Sequence, residues 1–440
     1  MDRTTTRLVD FAMAARYADL PAQTVTECKR RLVDGVASAL AAYDEPLSES
    51  ARTLARRYAG CGEAGIWGSP LRTTMEAAAF TNGVMLRYLD ISDTYLGRSR
   101  GHPSDMLSGI VAVAEHLRAD GPSVINAVVL AYDIYCGFSD TIDFGAKGLD
   151  QPVYGIVGCV AAIGRLMGLT AQQMGHAISL ALTPNVAMAQ ARRGDLSSWK
   201  GCAGANGSRN AVFAALLAKE GFTGPDDAIE GRDGLWKITG EFQLQLPARG
   251  THMLPHTHLK SLPICYHGQS SVLAALDLRA DVRLQDIAAI DIEAYAAAVQ
   301  MMGSDPSRWA PTTRETADHS MPYVVSIALT DGEVTPRSFS AERLRDPALR
   351  TLMGKVRVKE DPALSAQYPE GAPTRLTVTT ASGETIRREV RYPLGHARNP
   401  MDDDQVARKF RGVLQDMAGA GRCEAILQVL RNFEQVADVK

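Results

Sequence analysis

The sequence predicts a mainly α protein, with a large all-helical domain formed by both chain ends and a smaller α+β domain inserted between them. Three observations predict it. Apolar residues recur at three- and four-residue intervals over roughly the first 255 residues, alternation in short β-prone runs sets in after about residue 260, and helical spacing returns near 395. On this reading residues 1–258 and 395–440 make the helical domain and 259–394 the α+β domain.

Val25, Cys28, Leu32, Val36 and Leu40 mark the first one-sided helix. The segments 124–142, 153–168, 171–183 and 206–220 are rich in Ala and Gly and apolar on several faces, which predicts helices packed closely on helices. Beyond 260, Ile290 with Ile292, Val356 with Val358, Leu376 with Val378, and Ile386 with Val390 predict four strands, and TTASGET at 379–385 predicts a hairpin turn. Helices are predicted around 314–330 and 341–350. Asp402 with Gln405 three residues on reads as a capping box for a last helix whose face carries Val406, Phe410, Val413, Leu414 and Met417.

Composition limits the function. The 440 residues are 45% hydrophobic and 22% charged with a net charge of -3, and no basic tract is dense enough to track a phosphate backbone, so nucleic acid is excluded as a partner. The N-terminus shows no signal peptide and the chain no spanning segment, which predicts a cytoplasmic protein without membrane contact. Seven scattered cysteines, without a CxxC, read as buried free thiols and not as a metal or iron–sulfur site. His256 and His258 in LPHTHLK read as a surface loop.

Chemistry concentrates in YLDISDTYLGRSRGHPS at 88–104, Lys200, Lys260, YHGQ at 266–269 and ADHSMPY at 317–323. Each sets acids, histidines or lysines in apolar, small-residue surroundings, where a polar side chain finds a partner or does chemistry. Together they predict an enzyme.

LDISDT followed by HPS, WKGCAGANGSRNAVFAALLAKEGFTGP, KSLPICYHGQSSVLAAL, PTTRETADHSMPYVVSIALTDGEVT and NPMDDDQVARKF resemble, in order from about residue 5 to 435, the motifs of the MmgE/PrpD family. The resemblance implies a helical domain with an α+β lid, a homodimer, a cleft between the domains, and catalysis without metal or organic cofactor. It implies chemistry beside a carboxylate of a small di- or tricarboxylate: loss of water from a 2-methylcitrate-like hydroxy-tricarboxylate, or alternatively epimerisation of the iminodisuccinate kind or decarboxylation of the cis-aconitate kind. Taking a proton alpha to a carboxylate builds charge on an anion, so such a site needs cations, a base and, for dehydration, an acid.

The resemblance assigns residues as well. Asp90 is expected to orient a catalytic histidine, Thr94 to hydrogen-bond substrate, and His102 to move the proton, since imidazole titrates near working pH. Lys200 is expected to hold a substrate carboxylate. Lys260 and His267 flank the domain junction, and Gln269 completes a YHSQ-like group with His267. His319 and Tyr323, four apart, are expected to share a helix face toward the cleft. Arg98 and Arg100, in a loop longer than the family pattern, are candidates to close over a carboxylate. Gln151 departs from a histidine found in many relatives; it can hydrogen-bond but moves no proton near neutral pH.

Overall fold

The computed structural model describes residues 1–194 and 196–440 of the protein. It is mainly helical and has two main hydrophobic cores. The first draws on Leu8 through Leu259 and again on Met401 through Phe433, so both chain ends build it. Its centre is the set of helices Met75–Tyr88, Leu107–Leu117, Gly121–Thr141, Pro152–Leu166 and Trp199–Lys219, which pack on one another. Small residues let them approach: a Cβ on Gly83 would lie 2.8 Å from the Cβ of Ala205 on the crossing helix. The capping box forms as expected, with the Asp402 carboxylate accepting from Gln405 N at 2.7 Å and Gln405 Oε1 accepting from Asp402 N at 2.9 Å. It opens helix Asp403–Ala418, which lays Val406, Phe410 and Leu414 against helix Ala22–Ala41 and leaves Met417 exposed.

The second core runs from Leu262 to Val378, with Leu96 reaching in from the first part of the chain. It lies on a four-stranded sheet ordered Val356–Glu360, Ile287–Ala294, Thr374–Thr380, Thr385–Val390, in which the first pair is parallel and the others antiparallel. Ile290, Ile292, Leu376 and Val378 are fully buried, as their alternation required. The parallel pair needs a crossover, supplied by the chain that carries helices Met321–Asp331 and Pro347–Met353.

Several expectations are corrected. The helical part also holds two short strand pairs, one of them Tyr95–Leu96 with Arg100–Gly101. Residues 222–235 and 240–253 are largely irregular. The predicted 314–330 helix is broken into Arg314–Ala317 and Met321–Asp331, because the Ser320 side chain caps the second at Tyr323 N. His258 is buried, its ring stacked on Tyr266 and His396 and its Nδ1 accepting from Ala397 N, so it is not surface. Among the described residues no helix is long and apolar enough to cross a membrane.

Candidate active site

A cavity of about 290 Å³ lies where the two cores meet, lined by Asp90, Thr94, Arg100 and His102 from the first and by Lys260, His267 and His319 from the second. Helix Met75–Tyr88 ends here, and Asp90 follows in the left-handed region at φ 53°, a conformation an Asp tolerates better than most residues. Its carboxylate gathers cations: Lys260 Nζ at 2.5 Å, Arg87 at 2.8 Å, Lys200 Nζ at 3.3 Å and His319 Nε2 at 3.8 Å. Burial pushes the Asp90 carboxyl up, but the charges of Lys200, Lys260, Arg87 and His319 together hold it well below the usual range. Asp90 is an ionised anchor at every pH near neutral.

His102 stands at the mouth of the small hairpin. Gly101 before it passes so close to Tyr135 and Gln151 that a Cβ would collide with both, so only glycine seats His102 here. The ring's Nδ1 lies 2.7 Å from the Asp93 carbonyl. A carbonyl has no proton to give, so Nδ1 carries it and Nε2 is left as the acceptor. Burial, then Arg87 and Lys260, hold His102 well below its ordinary value, so the imidazole is neutral. His267 is likewise held down by burial and by Arg100, His319 and Lys260, with Nδ1 2.5 Å from the Tyr295 hydroxyl. His319 is the exception. Burial works against its charge, yet Cys265 and the adjacent Asp318 raise it above the ordinary value despite Lys200.

The wall is cationic in a protein of net negative charge: Arg87, Arg100, Arg192, Arg193 and Lys260 line the cavity against the carboxylates of Asp90, Asp143 and Asp150. Such a surface concentrates small polyanions. Asp90, Asp318 and His319 bring ligand-type atoms within 4.8 Å of one another, but Lys200 and Lys260 already occupy their carboxylate oxygens, and a divalent cation would have to displace two ammonium groups. The donor set therefore suits a lysine-neutralised carboxylate cluster and not a metal.

The structure brings Asp90, Thr94, Arg100, His102, Gln151, Lys260, His267 and His319 to the cavity and places the other expected residues elsewhere. Tyr323 is fully buried and donates its hydroxyl to Ser338 O at 2.7 Å, so it is a satisfied core tyrosine, and His319 precedes the cap of its helix instead of sharing its face. Gln269 is spent on the chain before it, donating to Leu262 O and accepting from Leu262 N. Arg98 is exposed at the hairpin tip and lines a different surface cavity. Lys200 lies behind the wall, its ammonium bound to both Asp318 oxygens at 3.0 and 3.1 Å and 3.3 Å from Asp90, so it braces the cluster and does not line the cavity. Asp90 faces the lysines and also His319 Nε2, at 3.8 Å, while His102 takes its orientation from the Asp93 backbone. Thr94 donates to Gly101 O at 2.9 Å. Gln151 is locked: its Oε1 accepts from His102 N at 2.7 Å and from Tyr135, and its Nε2 donates to Asp105 Oδ2 at 2.6 Å.

Residues the motifs did not single out complete the site. Arg87, three before Asp90 at a helix end, pairs with it as i,i+3 residues do, a signal present in the sequence. Arg192 pairs with Asp150 at 3.1 Å and donates to Lys200 O. Lys409, from the C-terminal helix, donates to the carbonyls of Ile91 and Lys260, each at 2.8 Å, and so clamps the two strands of chain that carry Asp90 and Lys260. No local spacing points to it.

Residues 6–244 match the MmgE/PrpD N-terminal domain and residues 262–435 the MmgE/PrpD C-terminal domain. The chain is 31% identical over 361 residues to 2-methylcitrate dehydratase of Cupriavidus necator, covering 76% of this chain and 74% of that protein. It is 30% identical over 382 residues to 2-methylcitrate dehydratase of Escherichia coli (strain K12), covering 80% and 78%. Alkylcitrate dehydratase phiI of Fungal sp. (strain ATCC 74256) is similar at 29% over 364 residues, covering 76% and 71%.

Proposed function

The chain belongs to the MmgE/PrpD family, and from that membership and the charge of its cleft we propose that it is a hydro-lyase of the 2-methylcitrate dehydratase type, removing water from a small hydroxy-tricarboxylate. The observation that carries the reading is a neutral imidazole, His102, set in a cationic wall with its acceptor nitrogen free of the Asp93 contact. His102 Nε2 takes the proton alpha to a carboxylate. Lys260 and Arg100 hold carboxylates, and the charge that grows on the substrate meets cations already in place. His319, the one cleft histidine held above its ordinary value, gives the proton that lets hydroxide depart as water. The working unit is a homodimer, and no metal takes part.

A second reading, epimerisation of an amino- or imino-linked dicarboxylate, is favoured by one feature: Gln151 is locked by its hydrogen bonds, and a two-base exchange asks nothing of that position. The test follows proton spectra in deuterated water with 2-methylcitrate, citrate, cis-aconitate and iminodisuccinate in turn. Collapse of the 2-methylcitrate methyl doublet to a downfield allylic methyl singlet is the expected result. Alpha-proton exchange without elimination selects the epimerase, and carbon dioxide released from cis-aconitate selects a decarboxylase; either sinks the dehydratase.

A further inference from the structure

A second cavity, of about 510 Å³, lies between the end of helix Arg3–Ala14, helix Gly121–Thr141 and the chain at 247–252, and it shares no lining residue with the cleft. Phe11, Leu20, Val129, Leu130 and Pro247 make its walls apolar. One buried polar pair interrupts them: the Asp133 carboxylate accepts from Met253 N at 2.7 Å through Oδ1, and its Oδ2 lies 2.8 Å from His252 Nδ1. A carboxylate has no hydrogen to give, so Nδ1 carries the ring proton and Nε2 is left as the acceptor. That Nε2 is buried and has no hydrogen-bond partner among the described residues. A buried polar atom in this state calls for a partner that the chain does not supply. At the rim, Arg16 and Arg249 share a single carboxylate, that of Asp19, at 2.9 and 3.6 Å, which leaves one positive charge in excess there. Apolar walls enclosing a few fixed polar groups, in a space of this size, are what a small-molecule site requires.

We propose that this cavity is a second ligand site, for a small amphipathic hydroxy acid whose apolar body lies along the helix walls, whose carboxylate meets Arg16 and Arg249, and whose hydroxyl donates to His252 Nε2. Asp133 serves as the positioning residue: it fixes the ring's tautomer, so the nitrogen left for the ligand accepts and does not donate. Apolar burial supplies the affinity, and the two polar ends supply the selection. A neutral phenol or alcohol leaves the rim charge unanswered, and an acid without the hydroxyl leaves Nε2 unpaired. The inference rests on this cavity alone and holds whichever reaction the cleft catalyses.

The probe is 3-(4-hydroxyphenyl)propanoate, titrated calorimetrically into the protein beside 3-phenylpropanoate, which lacks the hydroxyl, and 3-(4-hydroxyphenyl)propanamide, which lacks the charge. The expected result is one site per chain, with the hydroxy acid bound about threefold or more tighter than either analogue, as one hydrogen bond or one charge contact allows. Ala248 is exposed and lines the cavity, so Ala248→Trp fills the space from outside the core and should weaken the hydroxy acid at least about tenfold with an unchanged urea midpoint. His252→Phe should erase the preference for the hydroxyl, and Arg249→Gln the preference for the charge. No heat at about 10 mM probe would overturn the proposal. So would binding that survives Ala248→Trp, which would put the probe in the cleft, or a hydroxyl preference that persists in His252→Phe. Should His252→Phe not fold, because Asp133 loses a partner, the wild-type preferences and Ala248→Trp decide alone.

Discussion

Replacing His102 by Asn separates proton transfer from architecture. The ring contributes one hydrogen bond through Nδ1 to Asp93 O and is otherwise a wall of the cavity. An Asn amide offers an N–H in nearly the same place, so that bond is retained and the cost to folding stays below about 1 kcal/mol, the worth of one neutral bond. The backbone N–H of residue 102, held by Gln151, is untouched. What is lost is the basic Nε2. A positioned base contributes about 10²- to 10⁴-fold, so turnover should fall by that factor, about 3 to 5 kcal/mol in the barrier, with a small change in KM. Turnover is followed by the ultraviolet absorbance of the conjugated product, and folding by urea midpoint. The pH profile adds a check on sign. Because burial, Arg87 and Lys260 hold His102 well below its ordinary 6.5, the base is already deprotonated at pH 6.5, and kcat/KM should show no fall between neutrality and that point from this group. A variant within about threefold of wild type, against the factor expected of a general base, or a wild-type rate that drops as pH falls from 7 to 6.5, would refute the reasoning.

Tyr323→Phe should leave turnover unchanged and lower stability by about 1 to 3 kcal/mol, because the buried Ser338 carbonyl loses its partner; a large loss of activity at full stability would return the hydroxyl to catalysis. Lys260→Met should weaken kcat/KM about tenfold or more and destabilise by about 3 to 5 kcal/mol, since Asp90 keeps its charge with one cation fewer, and adding Asp90→Asn should recover midpoint but not activity. Gln151→Glu sets a carboxylate against Asp105, whose acid burial has already pushed up to about 6 despite Arg87. An acid raised in the fold costs stability as pH climbs from its unfolded value of 3.8 through 6, and the new charge deepens that cost. The melting-temperature deficit of Gln151→Glu against wild type should therefore grow from about pH 5 to about pH 8; a deficit independent of pH would argue against a shared proton.

What the sequence made legible follows from how local each signal is. Helix and strand periods show because burial on one face repeats along the chain, so Leu376 and Val378 announce their strand, and Asp402 with Gln405 announces a cap three residues away. His102, Lys260 and His267 were legible as polar groups in apolar runs. Tyr323 and Gln269 carry the same signal and prove structural, because a polar group in an apolar run is equally well explained by a backbone carbonyl it must satisfy. Lys200 was read as a cation for a substrate carboxylate, and its partner Asp318, 118 residues away, was not legible. Lys409 was legible only as a member of NPMDDDQVARKF, without its role. Its three contacts come from Asp34, Ile91 and Lys260, which only the fold brings together.

That long-range character bears on why the charges are there. A buried cluster of Arg87, Asp90, Lys200, Lys260 and Asp318 adds little to stability, because desolvating each ion offsets most of the attraction it gains. An apolar replacement of equal volume would hold the two cores together as well. What the cluster does that apolar groups would not is fix the Lys260 ammonium against Asp90 in a left-handed backbone, with Lys409 holding the carbonyls behind both. A cation fixed in advance needs no reorganisation when charge develops on a bound acid, which is where electrostatic catalysis gains its advantage over water. The positive φ at Asp90 costs about 1 kcal/mol or more and persists because three cations converge on that one carboxylate, so the strain sits where it sets the geometry of the site.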